Sequence, residues 1–288
     1  MNSLAPSSWL AGPALIRQRA QGASQECSPQ AQQMLALVPR TLTVIAGRPA
    51  MGKTALALHL AHRSAVERGR PVAVVSPVMP PHSVVCRLLA RTSGVALGRI
   101  HTEILSADQR ERVKEAEAVL ERSPLYLECT RALDHEELRA RLHGLRDHVG
   151  ALELVVIDEP EELCSDNPWL LLAGLAAELD CAIVTTARLS RAVDERSDHR
   201  PTPHDLIDRL ARRHASTLLM LYREEYYASK TEHPGVMEVF VERRERSFMA
   251  HVALDCDLAT GVFSPQDVGA LDASRDGCLE GADAPVDA

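Results

Sequence analysis

Apolar and polar positions follow two rhythms along this chain. Short runs of β-prone apolar residues, bounded by Gly, Pro or charge, alternate with stretches in which apolar residues return every three or four positions. Leu42, Val44 and Ile45 form the first run, and good helix formers follow through Leu58, His59 and Ala61 to about Arg68, where Gly69 stops the helix. Residues 71–76, PVAVVS, predict a buried strand. Val84, Val85, Leu88 and Leu89 sit at helical spacing within residues 82–92, and Ser106 to Glu121 predict a charged amphipathic helix. Leu125 to Leu127 predict a short strand, and Asp134 to Leu145 a helix with Glu-to-Arg pairs on its wet face. A central strand ending at Asp158, a helix over Trp169 to Leu179 and a third buried strand over Cys181 to Thr185 follow. Met237 to Glu242 and Ala250 to Leu254 predict two closing strands joined by a turn over residues 243–247. Strands alternating with helices predict an α/β fold, a mostly parallel sheet with helices on both faces and a ligand site at the carboxyl ends of its strands.

The segment between the first strand and the first helix carries the chemistry. Gly47, Arg48, Pro49, Ala50, Met51, Gly52, Lys53 and Thr54 spell G-x-x-x-x-G-K-T, and Ala55 continues into the helix. The two glycines let the backbone turn so tightly that successive N–H groups face inward, and the helix N-terminus adds its positive end at the same spot. Such a nest suits a polyphosphate, with Lys53 reaching the β- and γ-phosphates and the Thr54 hydroxyl ligating the Mg²⁺ that bridges them. The second landmark, LELVVIDEPEEL at residues 152–163, predicts that Asp158 emerges at the same sheet edge, opposite Thr54, to hold a metal-bound water. The polar run from Thr186 through Arg188 to Arg191 ends the third strand at that edge. Together these features point to a nucleoside triphosphatase that uses ATP and Mg²⁺.

Composition changes the picture little. At 288 residues and 45% apolar, the chain is long enough to bury one sizeable core. The expected organisation is a loose arm over 1–39, one domain over 40–263 and an acidic, disordered tail over 264–288. No apolar run reaches membrane-spanning length and no signal peptide is visible at Met1, so the expectation is a cytoplasmic protein with no membrane partner. The seven cysteines lie without any C-x-x-C pair, which indicates neither a zinc site nor a disulfide framework. Six acidic residues against Arg275 give residues 265–288 a net charge of −5, so the remainder shares only −3 of the total of −8. That leaves room for a local basic surface. His199, His204 and His214 lack metal-ligand spacing and read as surface histidines, while Tyr222, Tyr226 and Tyr227 read as packing for the last part of the sheet.

From about residue 38 to 263 the chain resembles the RecA-like ATPase domain of the bacterial replicative DNA helicases of the DnaB type. AGRPAMGKTALAL resembles that family's phosphate loop, PLYLECTRALDHEELRARL its middle segment, and ARLSRAVDERSDHRPTPHDL and LYREEYY two of its later runs. The resemblance implies a RecA-like phosphate-loop fold and a helicase motor working on single-stranded DNA in replication or repair. It also implies a homo-oligomeric ring or filament and a replication or regulatory protein partner. In residues 1–39 there is no room for the family's separate N-terminal domain, which favours an accessory paralogue.

The chain also departs from the family's pattern. Where the family carries a Ser-Leu-Glu-Met run whose Glu polarises the attacking water, this chain has Ser76-Pro77-Val78-Met79. Asp158 is followed by Glu159-Pro160-Glu161 instead of Tyr-Leu-Gln. Arg188 replaces a Gln that senses the γ-phosphate, and the late Lys-x-Arg supplied to a neighbour's ATP appears as Glu242-Arg243-Arg244, leaving Arg244 as the candidate finger. In place of the glycine-containing DNA loop stand Asp208 to His214, with Arg209, Arg212 and Arg213 suited to phosphate contacts. Two readings follow. Either the site is rewired, with Glu159 as the base and Arg188 supplying the lost charge, or the chain is a hydrolysis-deficient switch or scaffold that binds a partner protein without unwinding DNA.

Overall fold

A computed structural model describes residues 9–11, 36–131, 133–228, 230–244 and 248–266. Its strands are β1 (Leu10–Ala11), β2 (Leu42–Gly47), β3 (Val72–Val75), β4 (Leu125–Glu128), β5 (Leu154–Ile157), β6 (Ala182–Arg188), β7 (Thr217–Tyr222), β8 (Val236–Arg243), β9 (Phe248–Asp257) and β10 (Val262–Pro265). Its α-helices are α1 (Lys53–His62), α2 (Pro81–Ser93), α3 (Leu97–Thr102), α4 (Ala107–Arg122), α5 (His135–Val149), α6 (Pro168–Leu179), α7 (Arg209–His214) and α8 (Glu224–Tyr227). Among the described residues the strands form one sheet in the order β1-β4-β3-β5-β6-β2-β7-β8-β9-β10. From β4 to β7 all neighbours are parallel, whereas β1 and the β8-β9-β10 end are antiparallel.

Both faces of the parallel part are covered, and the period-two alternation of the strands decides which side chain faces which layer. Leu42, Val44, Ala46, Val155 and Ile157 pack with Leu138, Leu142, Trp169 and Leu172 of α5 and α6 on one face. Ile45, Val72, Val74, Leu154 and Val156 pack with Leu56 and Leu60 of α1 on the other. Leu89, Val95, Ile100 and Ala116 form a small satellite core between α2, α3 and α4.

Local signals set most helix ends. Ser106 and Gln109 make a reciprocal capping box at the start of α4. The carboxylate of Asp134 accepts the Glu137 amide at α5, and the side chain of Asn167 accepts the Leu170 amide at α6, where Pro168 takes the first helical position. Past His62, α1 widens into a π-helical turn over Arg63–Glu67, and Gly69 at φ 64° ends it. Of the stretch expected as a loose arm, Trp9 is buried and Leu10–Ala11 pair antiparallel with Leu127 and Tyr126; residues 12–35 lie outside the described residues. At the other end β10 runs to Pro265, two residues past the expected domain limit, and the tail after residue 266 is outside the described residues. No helix among the described residues is long and apolar enough to cross a membrane, and none of their His, Cys, Asp and Glu side chains cluster as a metal site.

Two histidines of α1 make the fold acid-sensitive. His59 is buried, and its Nδ1 accepts the Phe263 amide at 3.3 Å, while His62 Nε2 lies 3.1 Å from the Thr92 hydroxyl. Burial lowers the proton affinity of both rings, His59 well below the ordinary value, and the positive charge of Arg91 adds to the effect. Because the unfolded chain takes up these protons first, unfolding free energy falls as pH drops through about 6.5, by at most about 1.4 kcal/mol per pH unit for each proton. Urea titrations between pH 7.5 and 5.5 are expected to show this slope, and His59→Gln to flatten it. Equal slopes in both proteins would remove the histidine explanation.

Candidate active site

The site begins where β2 stops. Gly47 leads into a loop in which Ala50 (φ 60°) and Gly52 (φ 99°) take left-handed conformations, and α1 starts at Lys53. At Gly52 a β-carbon would stand 2.9 Å from a Leu258 methyl, so this position requires glycine for both space and backbone angle. Met51 is buried beneath the loop. Two straps hold the outer side. Arg48 binds Asp194 through Nη2 at 2.7 Å and donates to the Leu189 carbonyl at 3.0 Å, and Arg223 donates to the Ala50 carbonyl at 3.3 Å. Asp194 also accepts the Tyr227 hydroxyl at 2.9 Å, and His199 stacks on the Tyr227 ring at 4.2 Å.

The sheet register brings three strand ends together. Gly47 on β2 lies opposite Arg188 on β6, and Ile157 on β5 lies opposite Thr185, which sets Asp158 beside Thr186. The Thr54 hydroxyl lies 2.9 Å from the Asp158 carboxylate, and the Thr186 hydroxyl donates to the same carboxylate at 2.9 Å while accepting the Glu159 amide at 2.9 Å. Lys53 folds its ammonium onto the Gly47 and Arg48 carbonyls at 3.0 and 3.2 Å. Burial raises the Asp158 carboxyl above its ordinary range, opposed by the two threonine hydroxyls. Burial lowers the Lys53 ammonium, with Asp158 opposing the shift and Arg188 reinforcing it. The result is a desolvated cation and carboxylate at the mouth of an amide-lined loop, both short of compensating charge.

Glu159 and Arg188 sit at the same edge and bind each other, Nη2 to Oε1 at 3.0 Å. Val78, which follows β3 on that rim, is 38% exposed. Arg244 is elsewhere. Its amide bonds the Ser216 carbonyl at 3.1 Å at the start of β7, and Thr217 aligns with Thr43, so Arg244 lies at the edge of the sheet opposite Gly47. Arg209, Arg212 and Arg213 are exposed on α7, outside the loop site, with Arg212 held by Glu242 at 2.7 Å and the Arg213 carbonyl accepting from Arg244.

The family model for the DnaB-like helicase C terminal domain matches residues 31–165 and 170–264. The chain belongs to this family. Among its relatives, the replicative DNA helicase DnaB of Buchnera aphidicola subsp. Schizaphis graminum is 29% identical over 231 residues, covering 76% of this chain and 50% of the relative. The replicative DNA helicase DnaC of Bacillus subtilis is 26% identical over 231 residues, covering 74% and 50%. The chain thus spans about half the length of the curated relatives it matches. A solved helicase-like ATPase domain superposes with a TM-score of 0.76 at 22% identity, covering 83% of this chain and 89% of that one. A DnaB-like replicative helicase solved with regard to its interactions with primase gives 0.73 at 22% identity, covering 78% and 57%. The RecA-like architecture of the DnaB-like family is therefore the fold of this chain.

Sequence reasoning missed Thr186 as an individual site residue, although the polar run that contains it was visible. It also missed the Arg48–Asp194–Tyr227 strap, which only the folded chain brings together. His199 is corrected from a surface histidine to a half-buried stacking partner of Tyr227. Of the three tyrosines read as sheet packing, Tyr222 is buried, while Tyr226 is 43% exposed.

Proposed function

We propose that this DnaB-like domain binds Mg²⁺-ATP in the loop from Gly47 to Ala55 and hydrolyses it in a cycle coupled to single-stranded DNA, in replication or repair. One observation carries the reading: Lys53, Thr54 and Asp158 meet at the carboxyl ends of parallel strands, where such sheets bind ligands. The donor set fits the metal. A threonine hydroxyl and a buried carboxylate are hard oxygen ligands, and magnesium held by Thr54 and Asp158 would neutralise phosphate charge. Lys53 holds the terminal phosphates, and Glu159 accepts the proton of the attacking water in place of the missing glutamate at Val78.

Arg244 serves a neighbour's nucleotide in this reading, which calls for a ring or filament. Its location across the sheet from its own Gly47 supports that role. Arg209 and Arg213, with Arg212 shared with Glu242, contact backbone phosphates of single-stranded DNA. A replication or regulatory protein is a further partner.

A second reading has an observation of its own. Val78 offers no acceptor and Glu159 is tied to Arg188, which favours an ATP-dependent switch or scaffold with slow turnover. Phosphate release with and without a single-stranded oligonucleotide decides between them. DNA-stimulated release is expected for the motor. Nucleotide binding with background release in both conditions would leave the switch.

A further inference from the structure

We propose that the Arg188–Glu159 ion pair is a latch by which the site distinguishes a nucleoside triphosphate from a diphosphate. The terminal phosphate draws the Arg188 guanidinium off the Glu159 carboxylate, and the pair closes again when that phosphate is gone. The inference rests on the reading of the loop as a nucleotide site and adds a specificity determinant to it.

The placement comes from the sheet. Arg188 lies in register with Gly47, and the next residue, Leu189, donates its amide to the Gly47 carbonyl at 3.4 Å. The guanidinium therefore starts at the root of the phosphate loop. It already lowers the proton affinity of Lys53, so the two cations share one field. A polyphosphate gripped by Lys53 lies within the influence of Arg188 as well.

The pair is built to open. It is a single hydrogen-bonded contact of 3.0 Å, with side chains 52% and 31% exposed, the kind of ion pair worth only about 0–1 kcal/mol. A phosphate carries more charge than a carboxylate and matches the guanidinium fork with two oxygens. It wins that exchange. Arg48 shows the opposite design at the other side of the loop. It is 13% exposed and bonded to both Asp194 and the Leu189 carbonyl, which makes it a fixed strap.

The backbone under the latch stays in place when the pair opens. Glu159 sits at φ 53° with its amide anchored on Thr186, and Thr186 in turn holds Asp158. The Glu159 side chain can swing without moving the aspartate. Among the described residues Glu159 is the one ion-pair partner of Arg188, so nothing else restrains the guanidinium.

Equilibrium binding of a non-hydrolysable ATP analogue and of ADP to the full chain, with magnesium present, tests this without reference to turnover. Glu159→Gln leaves Arg188 free in advance, so analogue affinity is expected to rise about two- to fivefold, the scale of a half-exposed ion pair, while ADP affinity stays level. Arg188→Ala is expected to collapse the analogue-to-ADP ratio, and adding Glu159→Gln to it should change that ratio no further. The latch is overturned if Glu159→Gln leaves the ratio unchanged, or shifts it equally with and without Arg188. If the wild-type chain takes up neither nucleotide, the site reading itself fails, an outcome distinct from both.

Discussion

Lys53→Met is expected to abolish nucleotide use and at the same time to make the empty protein more heat-stable. The ammonium lies in a partly desolvated corner, which lowers its proton affinity, and two loop carbonyls only partly replace its water. Methionine keeps the length and apolar body of the side chain and removes the charge. Relief of that burial should raise the thermal midpoint by about 2–4 °C for each kcal/mol regained in a domain of this size. The sign can be checked with pH. A lowered folded-state ammonium means that the unfolded chain binds more protons between the lowered value and 10.5, so wild-type stability gains on the variant as pH rises through that window. Loss of one preorganised donor to the phosphates should lower kcat/KM for ATP by about a hundredfold or more. Calorimetry on the empty proteins and nucleotide titrations measure both arms. A variant that still binds ATP like the wild type would end the phosphate-loop reading, whereas a variant less stable than the wild type would show that the lysine's two carbonyl bonds outweigh its burial.

Much of this architecture is legible from sequence because the central strands are short, β-branched and sharply bounded. Val72–Val75 and Leu154–Ile157 can hardly be anything else, and the Gly47 to Thr54 spacing announces its own conformation. By contrast β7 was passed over. Its run Thr217–Tyr222 is rich in Leu and Met, which favour helix as readily as strand, and only its parallel pairing with β2 decides the matter. Leu10–Ala11 is too short for any periodicity, and it becomes a strand because β4 offers an edge. The site divides in the same way. Lys53, Thr54 and Asp158 could be named from spacing, since each lies at a strand end whose position the pattern fixes. Which charges meet could not. That Arg188 faces Glu159, that Arg48 is taken by Asp194, and that Arg244 belongs to the far edge all depend on strand order and register, which residues far apart in the chain determine together.

Glu159→Gln is expected to separate catalysis from binding. If Glu159 takes the water's proton, the amide cannot replace it, and single-turnover phosphate release should fall by about a hundredfold or more, the lower end of what a positioned base supplies. A merely electrostatic contribution would be far smaller, because the carboxylate is 31% exposed and already half-neutralised by Arg188. Glu161→Gln provides the comparison. That side chain is exposed two residues further on and also acts on Lys53 through space, so its loss should change the rate only by a small factor. Combined with the freed Arg188, Glu159→Gln should show kcat falling steeply while triphosphate affinity improves, the pattern left when a group serves the transition state and opposes the ground-state complex. A parallel drop in kcat and affinity would instead mark Glu159 as a structural prop of the β5 end. An unchanged rate would mean that no carboxylate in this site replaces the glutamate absent at Val78, and that the domain works through nucleotide binding alone.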